Sequence, residues 1–375
     1  MKYIALLVIF SISLPAIVLT TAGFLYPNQL QAQKTSDKEA WMLQPAVKLD
    51  DYNPVLVPDS RQQFFCPLRK QNLKWEEKDV FNPAAVVKDG WVWMLYRAED
   101  TIGRFAGTSR IGLAKSRDGL QFRKTPIPVL FPDHDSLKIF EWEGGCEDPR
   151  VVKRDDSTYI MTYTAYDGKT ARLCVASSRD LVMWKKHGLA FGSGKYRDLW
   201  SKSGAIVCEL VGSEVIARKI KGKYQMYWGD TDIFLATSDD LIHWMPVEDK
   251  KGKLVSVLKP RPGFFDSKLV EPGPFALLRK EGILLLYNSA NNAQTGDKSM
   301  PDMTYAVGQA LFSDTKPEKL VARADQHFLH PDRDYEKTGQ VNNVCFLEGM
   351  VWHKDRWLLY YGTADSKIAV AECKE

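Results

Sequence analysis

The chain has 375 residues, 45% apolar and 26% charged, which is enough to bury a large core and too apolar for extended disorder. Its net charge of +4 is spread without blocks of like sign, which argues against nucleic acid or another polyanion as partner. The six cysteines stand at wide spacings, without the paired pattern of a zinc or redox motif, and read mostly as buried small apolar residues.

Met1-Lys2 opens a stretch that carries no further charge until Lys34, with an apolar run from Ile4 to Tyr26 and a small-residue cleavage pattern at Leu30-Gln31-Ala32. Residues 1–32 are therefore expected to be a signal peptide or an uncleaved N-terminal anchor, with the body periplasmic or extracellular. Any membrane contact is expected through this segment alone. Residues 33–60 are polar and proline-punctuated, and read as a linker or an arm laid over the domain.

The body, 61–375, repeats itself. Trp91 to Tyr96, Tyr159 to Tyr163, Tyr224 to Trp228, Ile283 to Tyr287 and Trp357 to Tyr361 are short β-rich runs closing on an aromatic, about 60 to 75 residues apart. An apolar strand and a tight turn precede each run, as in Ala84 to Val87 followed by Lys88-Asp89-Gly90, and a third strand such as Arg110 to Ala114 follows. For the third repeat the preceding strand is read at Val215-Ile216. Three repeats continue into Ser116-Arg117-Asp118, Ser178-Arg179-Asp180 and Ser238-Asp239-Asp240 before an outer strand. The pattern predicts an all-β chain folded as a five-bladed β-propeller.

In such a fold the first strands open on one end of a channel, so Asn82, Asp148, Glu271 and Asn343 are expected to converge there. Arg97, Glu99, Asp167, Asp230, Asn288 and Asp365 follow the second strands. Aspartate and asparagine also cap turns, so each carries a structural alternative. The focal stretch is Trp142-Glu143-Gly144-Gly145-Cys146-Glu147-Asp148-Pro149-Arg150, with Asp148 the leading catalytic candidate. Its alternative is an Asx turn, with Arg150 pairing a neighbouring carboxylate. Paired carboxylates in a concave, aromatic-lined site suggest glycoside chemistry, which needs a proton donor and an opposed group that attacks or activates the attacking molecule. Trp142, Trp228, Tyr166 and Tyr335 are candidate faces for sugar rings.

Phe81-Asn82-Pro83-Ala84-Ala85, Gly145 to Arg150 with Tyr163-Thr164-Ala165-Tyr166, Ser238 to Trp244, Tyr335 to Gly339 and Tyr360 to Asp365 together resemble glycoside hydrolase family 130. The resemblance runs from about residue 75 to the C-terminus. It implies a five-bladed propeller acting on β-mannosides with inversion, using phosphate in its phosphorylases and water in its hydrolases. It further implies that Asp148 is the acid, delivering its proton through a hydroxyl of the bound mannose. Asn82, Arg97, Arg150, Tyr166, Asn343 and Asp365 become sugar-binding candidates by the same carry-over.

Where the phosphorylases carry a His-Arg pair, this chain has Trp228-Gly229 followed by Asp230, and where they carry Gly-x-Gly-Pro-Pro it has Val270-Glu271-Pro272-Gly273-Pro274. Acids at those positions repel phosphate and accept a proton from water, so Glu271 is the first candidate for the base and Asp230 the second. The expectation is an exported inverting β-mannosidase hydrolysing terminal β-1,2- or β-1,4-linked mannose from oligosaccharides or glycans, with water as co-substrate. Arg172 and Lys202 keep open an inverting phosphorylase that releases mannose 1-phosphate, against which export counts. A non-catalytic sugar-binding propeller is a second alternative. The six histidines show no metal-ligand spacing and no cofactor fingerprint is present, so neither a metal nor a cofactor is expected.

Overall fold

The computed structural model describes residues 40–374 apart from Gln44 and Ser193. The expected export segment, 1–32, lies outside the described residues, as does the start of the arm. Among the described residues no helix is long and apolar enough to cross a membrane.

Strands dominate, and they fall into five antiparallel groups taken in chain order. The first sheet joins Asp79–Lys88, Trp91–Glu99, Ser109–Ser116 and Arg123–Lys124. The second joins Gly145–Lys153, Tyr159–Tyr166, Ala171–Ser178 and Lys185–Leu189. In the third, Ala205–Val211 meets Lys223–Trp228, which pairs with Ile233–Ser238 and then Met245–Pro246. The fourth has a broken first strand, Leu269–Pro272 and Ala276–Arg279, both on Gly282–Ala290, followed by Tyr305–Phe312 and Leu320–Arg323. The fifth runs Cys345–Trp352, Trp357–Thr363 and Lys367–Cys373, and is completed by Val47–Lys48. Part of the segment expected as an arm thus serves as an outer strand.

Asp79–Lys88, Gly282–Ala290 and Trp357–Thr363 are buried on both faces almost throughout, so they read as apolar runs rather than alternating ones. Leu95 and Leu113 of the first sheet pack with Met161 and Tyr163 of the second. Tyr227 and Leu235 of the third pack with Leu285 and Tyr287 of the fourth. Met94 and Tyr96 pack with Leu358 and Tyr360, so the fifth sheet returns to the first. The hairpin at Lys88-Asp89-Gly90 forms as expected, with φ of 52° and 73° at Asp89 and Gly90, conformations that the two residues tolerate well. In the Ser-x-Asp segments the aspartates cap turns: Asp118, Asp180 and Asp240 each accept two backbone N–H groups at 2.8–2.9 Å.

A buried triad recurs in four of these sheets. The Tyr96 hydroxyl donates to Glu76 at 2.8 Å, and Lys124 donates to the same carboxylate at 2.9 Å. Tyr163 and Lys186 hold Glu141 in the same way, and Tyr287 with Arg323 holds Asp266. In the fifth sheet Tyr361 and Lys48 hold Glu336, at 2.8 and 2.6 Å. Register explains the recurrence, because Lys124, Lys186, Arg323 and Lys48 stand opposite Ala114, Ala176, Ala310 and Ala371. In the third sheet Pro246 stands opposite Ala236 and Trp228 replaces the tyrosine. That sheet departs from expectation in another way: Val215-Ile216 belongs to a hairpin with Ala205–Val211, and it is Ala205-Ile206 that pairs with Tyr227 and Met226.

Candidate active site

Three first strands carry a bulge at their inner end. The register slips between Phe81 and Pro83, between Glu147 and Arg150, and between Leu347 and Gly349, which turns out Asn82, Asp148 and Glu348. Asn82 and Asp148 have left-handed φ, 47° and 48°, which these short polar side chains tolerate best among residues other than glycine. Each is followed by a proline, whose missing N–H leaves no donor orphaned where the ladder breaks. The sequence alternative of a plain turn cap for Asp148 is therefore replaced by a bulge that aims the carboxylate.

The bulges at Asn82 and Asp148 open on a cavity of about 170 Å³ lined by those two residues with Arg97, Lys202, Glu271 and Asp365, together with Phe81, Tyr305, Gln340, Val341, Val344 and Phe346; Glu348 does not line it. A larger cavity of about 730 Å³ lies along the second and third sheets beside His187, Lys223 and Trp244, and no buried carboxylate lines it. Chemistry follows the smaller one.

Asp148 is 2% exposed and held from three directions. Asn82 Nδ2 donates to Oδ1 at 2.9 Å, Arg97 Nη1 lies 3.1 Å from Oδ1, and Lys202 Nζ lies 3.1 Å from Oδ2. Burial pushes its pKa up, but Lys202, Arg97 and Asn82 together outweigh burial and hold the carboxyl well below the usual range. The adjacent Glu147 shares Arg97, at 3.1 Å, and goes the other way: burial and the Asp148 charge push it up to about 7. Two neighbouring carboxylates therefore share a single guanidinium, one held low and the other pushed up. Arg97 also donates to Ser109 at 3.0 Å and to Glu99 at 2.7 Å, and lies over the Phe81 ring at 4.7 Å.

Glu271 is 6% exposed, accepts the Ser203 hydroxyl, and is pushed up to about 7, mainly by burial and against the pull of Lys202 and Arg150. Asp365 is likewise pushed up to about 7 by burial, with Arg97 opposing. Asp230 behaves differently. It accepts the Trp200 indole N–H at 2.6 Å and does not line the cavity, although its charge reaches Glu271.

Other expected sugar-binding residues do not line the cavity. Arg150 is 3% exposed and donates to the carbonyls of Gly273 and Pro272 at 2.6 and 2.8 Å, while pairing with Glu348 at 2.7 Å. It ties the second sheet to the fourth and fifth, so its alternative as an inter-sheet clamp is the one realised. Arg172 is paired with Asp167 at 2.7 Å and Asp198 at 3.1 Å. Tyr166 sits against Phe105 and Trp200, and Asn343 takes part through its backbone, its carbonyl accepting from Tyr305 N–H at 2.9 Å. Of the expected ring faces, Trp228 is 1% exposed and part of the core, Tyr335 donates to Asp50 at 2.9 Å, and Trp142 lies under Arg69.

Glu147, Ser203 and Glu348 were not anticipated as site residues. Glu147 lies within the focal motif, so the signal was present; Glu348 becomes visible only through its bulge. Among the described residues no group of histidine, cysteine and acid side chains could hold a metal ion.

The family model described as β-1,4-mannooligosaccharide phosphorylase matches residues 58–375. A 1,2-β-oligomannan phosphorylase of Thermoanaerobacter is 32% identical, covering 85% of this chain and 94% of its own. A crystal structure of a glycoside hydrolase from Bacteroides ovatus, itself assigned only provisionally, is 47% identical with a TM-score of 0.86, covering 90% of this chain and 98% of that one. Another solved structure, 44% identical with a TM-score of 0.87 over 88% and 94% of the two chains, is described as showing that this family of mannoside phosphorylases contains glycoside hydrolases that target β-1,2 mannosidic linkages in Candida mannan.

Proposed function

The chain belongs to glycoside hydrolase family 130, and from that membership we propose an exported five-bladed β-propeller that cleaves a terminal β-linked mannose with inversion, using water. The observation that carries water over phosphate is the charge of the cavity. Three carboxyl groups line it, Asp148, Glu271 and Asp365, against two cations, Arg97 and Lys202. Both cations are already engaged by Asp148. An incoming phosphate dianion needs uncommitted donors, and Glu271 stands where it would be repelled.

In this reading Glu271, steadied by Ser203, takes a proton from water as the water oxygen bonds to the anomeric carbon and the glycosidic C–O bond breaks. The leaving oxygen must gain a proton. Asp148 and Glu147 supply it as a pair: Glu147, pushed up to about 7, is the member that more readily holds a proton, and Asp148 lines the cavity and faces the sugar hydroxyl through which it passes. Asn82, Arg97 and Asp365 bind hydroxyls of the same ring, where polar groups left unpaired by a wrong sugar give strong discrimination.

A second reading, phosphorolysis, has a specific observation in its favour. The curated relatives, including the one 32% identical, are named as phosphorylases, and these names support phosphorolysis more directly than any support hydrolysis. Product analysis separates the two. The purified protein is given β-1,2- and β-1,4-mannobiose with and without inorganic phosphate; free mannose in equal yield under both conditions is expected. Mannose 1-phosphate formed only with phosphate would establish the second reading and make Lys202 the phosphate ligand to test.

A further inference from the structure

The cavity holds little. About 170 Å³ corresponds to roughly six waters at ~30 Å³ each, the scale of one sugar ring, so the rest of an oligosaccharide must lie outside it. Three aromatic rings that do not line the cavity lie in succession, connected to it through Asp230, which holds the Trp200 indole and whose charge acts on the cavity-lining Glu271. Phe105, 38% exposed, is 6.1 Å from Tyr166, and Tyr166 is 6.4 Å from Trp200, which is 48% exposed. Trp200 is two residues from Lys202, whose carbonyl accepts the Gly229 N–H at 3.0 Å next to Asp230. Glycine at two positions makes room for the row: a Cβ on Gly168 would stand 2.1 Å from the Phe105 ring, and one on Gly144 would stand 2.3 Å from the Tyr166 ring.

An indole nearly half exposed gains little from burial, yet its N–H is fixed by a charge-assisted bond to Asp230 Oδ2 at 2.6 Å. Such an arrangement fixes the orientation of a half-exposed indole at the price of side-chain freedom, and with Tyr166 inclined at 69° to Trp200 and 43° to Phe105 the three rings form an angled apolar surface of the kind sugar units rest on.

We infer that Phe105, Tyr166 and Trp200 form a platform for the sugar units on the leaving-group side of the scissile bond, and that Asp230 is the positioning residue that sets the Trp200 indole. This rests on the proposed β-mannoside specificity and replaces the role of Asp230 as a base with one in substrate length selection.

The test uses β-1,2-mannobiose and β-1,2-mannotetraose, with calorimetric binding to the Asp148→Asn protein and steady-state kinetics on the parent background. Trp200→Ala is expected to weaken tetraose binding about tenfold and mannobiose binding by a smaller factor. Asp230→Ala should reproduce this pattern as a rise in KM for tetraose. Asp230→Asn, which keeps an acceptor for the indole, should restore most of it. Equal losses on both sugars, or unchanged binding after Trp200→Ala, would overturn the platform while leaving the mannoside reading intact. A collapse of kcat in Asp230→Asn would return Asp230 to the base role. Failure of the Asp148→Asn protein to bind either sugar, with the parent inactive on both, would overturn the specificity and the platform together.

Discussion

Buried carboxylates occupy two regions of this molecule. At the outer side of four sheets Glu76, Glu141, Asp266 and Glu336 each meet a tyrosine hydroxyl and a cation. Around the cavity Glu147, Asp148, Glu271, Glu348 and Asp365 compete for Arg97, Arg150 and Lys202, and Glu147, Glu271 and Asp365 are pushed up to about 7. Burial alone therefore does not mark a functional acid, since both sets are buried. Sharing of partners separates them better: each outer acid has its own tyrosine and cation, whereas Glu147, Glu271 and Asp365 depend on cations that Asp148 or Glu348 already engage.

The strongest way to break this contrast is Asp148→Asn. With its fold retained by circular dichroism, the variant should lose at least about a thousandfold in kcat, the upper part of the range for a positioned proton-transfer group. Glu271→Gln should cost roughly 100- to 1,000-fold, read from mannose release with and without phosphate. A Glu271→Gln protein with undiminished turnover would remove the base from the mechanism.

The outer set should answer in the other currency. Lys186→Met leaves Glu141 buried without its cation and should lower unfolding free energy by about 3–5 kcal/mol in urea titration, with kcat of the folded protein unchanged. A fall in kcat at constant fold would erase the distinction between the two regions.

pH sharpens it further. Because Glu271 is raised from 4.5 to about 7 in the folded chain, the folded state binds more protons than the unfolded one between those values. Stability contributed by the protonated form is therefore present below 4.5 and is lost as pH rises through about 7. As a base Glu271 works only when ionised, so kcat should rise as pH approaches 7 while stability falls. Glu271→Gln should be more stable than the parent at pH 8 in thermal melts, and by a smaller margin at pH 5.

Much of this was legible in the sequence. Five recurring apolar runs closing on aromatics located the second strands, and the Glu147-Asp148-Pro149-Arg150 stretch pointed to Asp148, which lines the cavity, without singling out Glu147 beside it. Asp148, Lys202 and Glu271 come together although they lie on three separate sheets or their connections. What stayed hidden has physical causes. A bulge at Glu348 leaves no composition signal, since one extra residue in a strand looks like any other. Arg150 acts on carbonyls, which every residue has, so no motif announces the clamp. Trp228, expected as a ring face, closes its run like the tyrosines and is buried in the core as they are, at 1% exposure.

Lys48 supplies the cation for Glu336 from 288 residues away in the chain. At synthesis rates of about 5–20 residues per second, roughly 15 to 60 seconds separate the emergence of these two partners from the ribosome. During that interval Val47–Lys48 has no strand to join and the fifth sheet has no outer edge. That short strand stays without its partner until Lys367–Cys373 has been made, so closure of the fifth sheet waits on a segment far downstream of the strand that completes it.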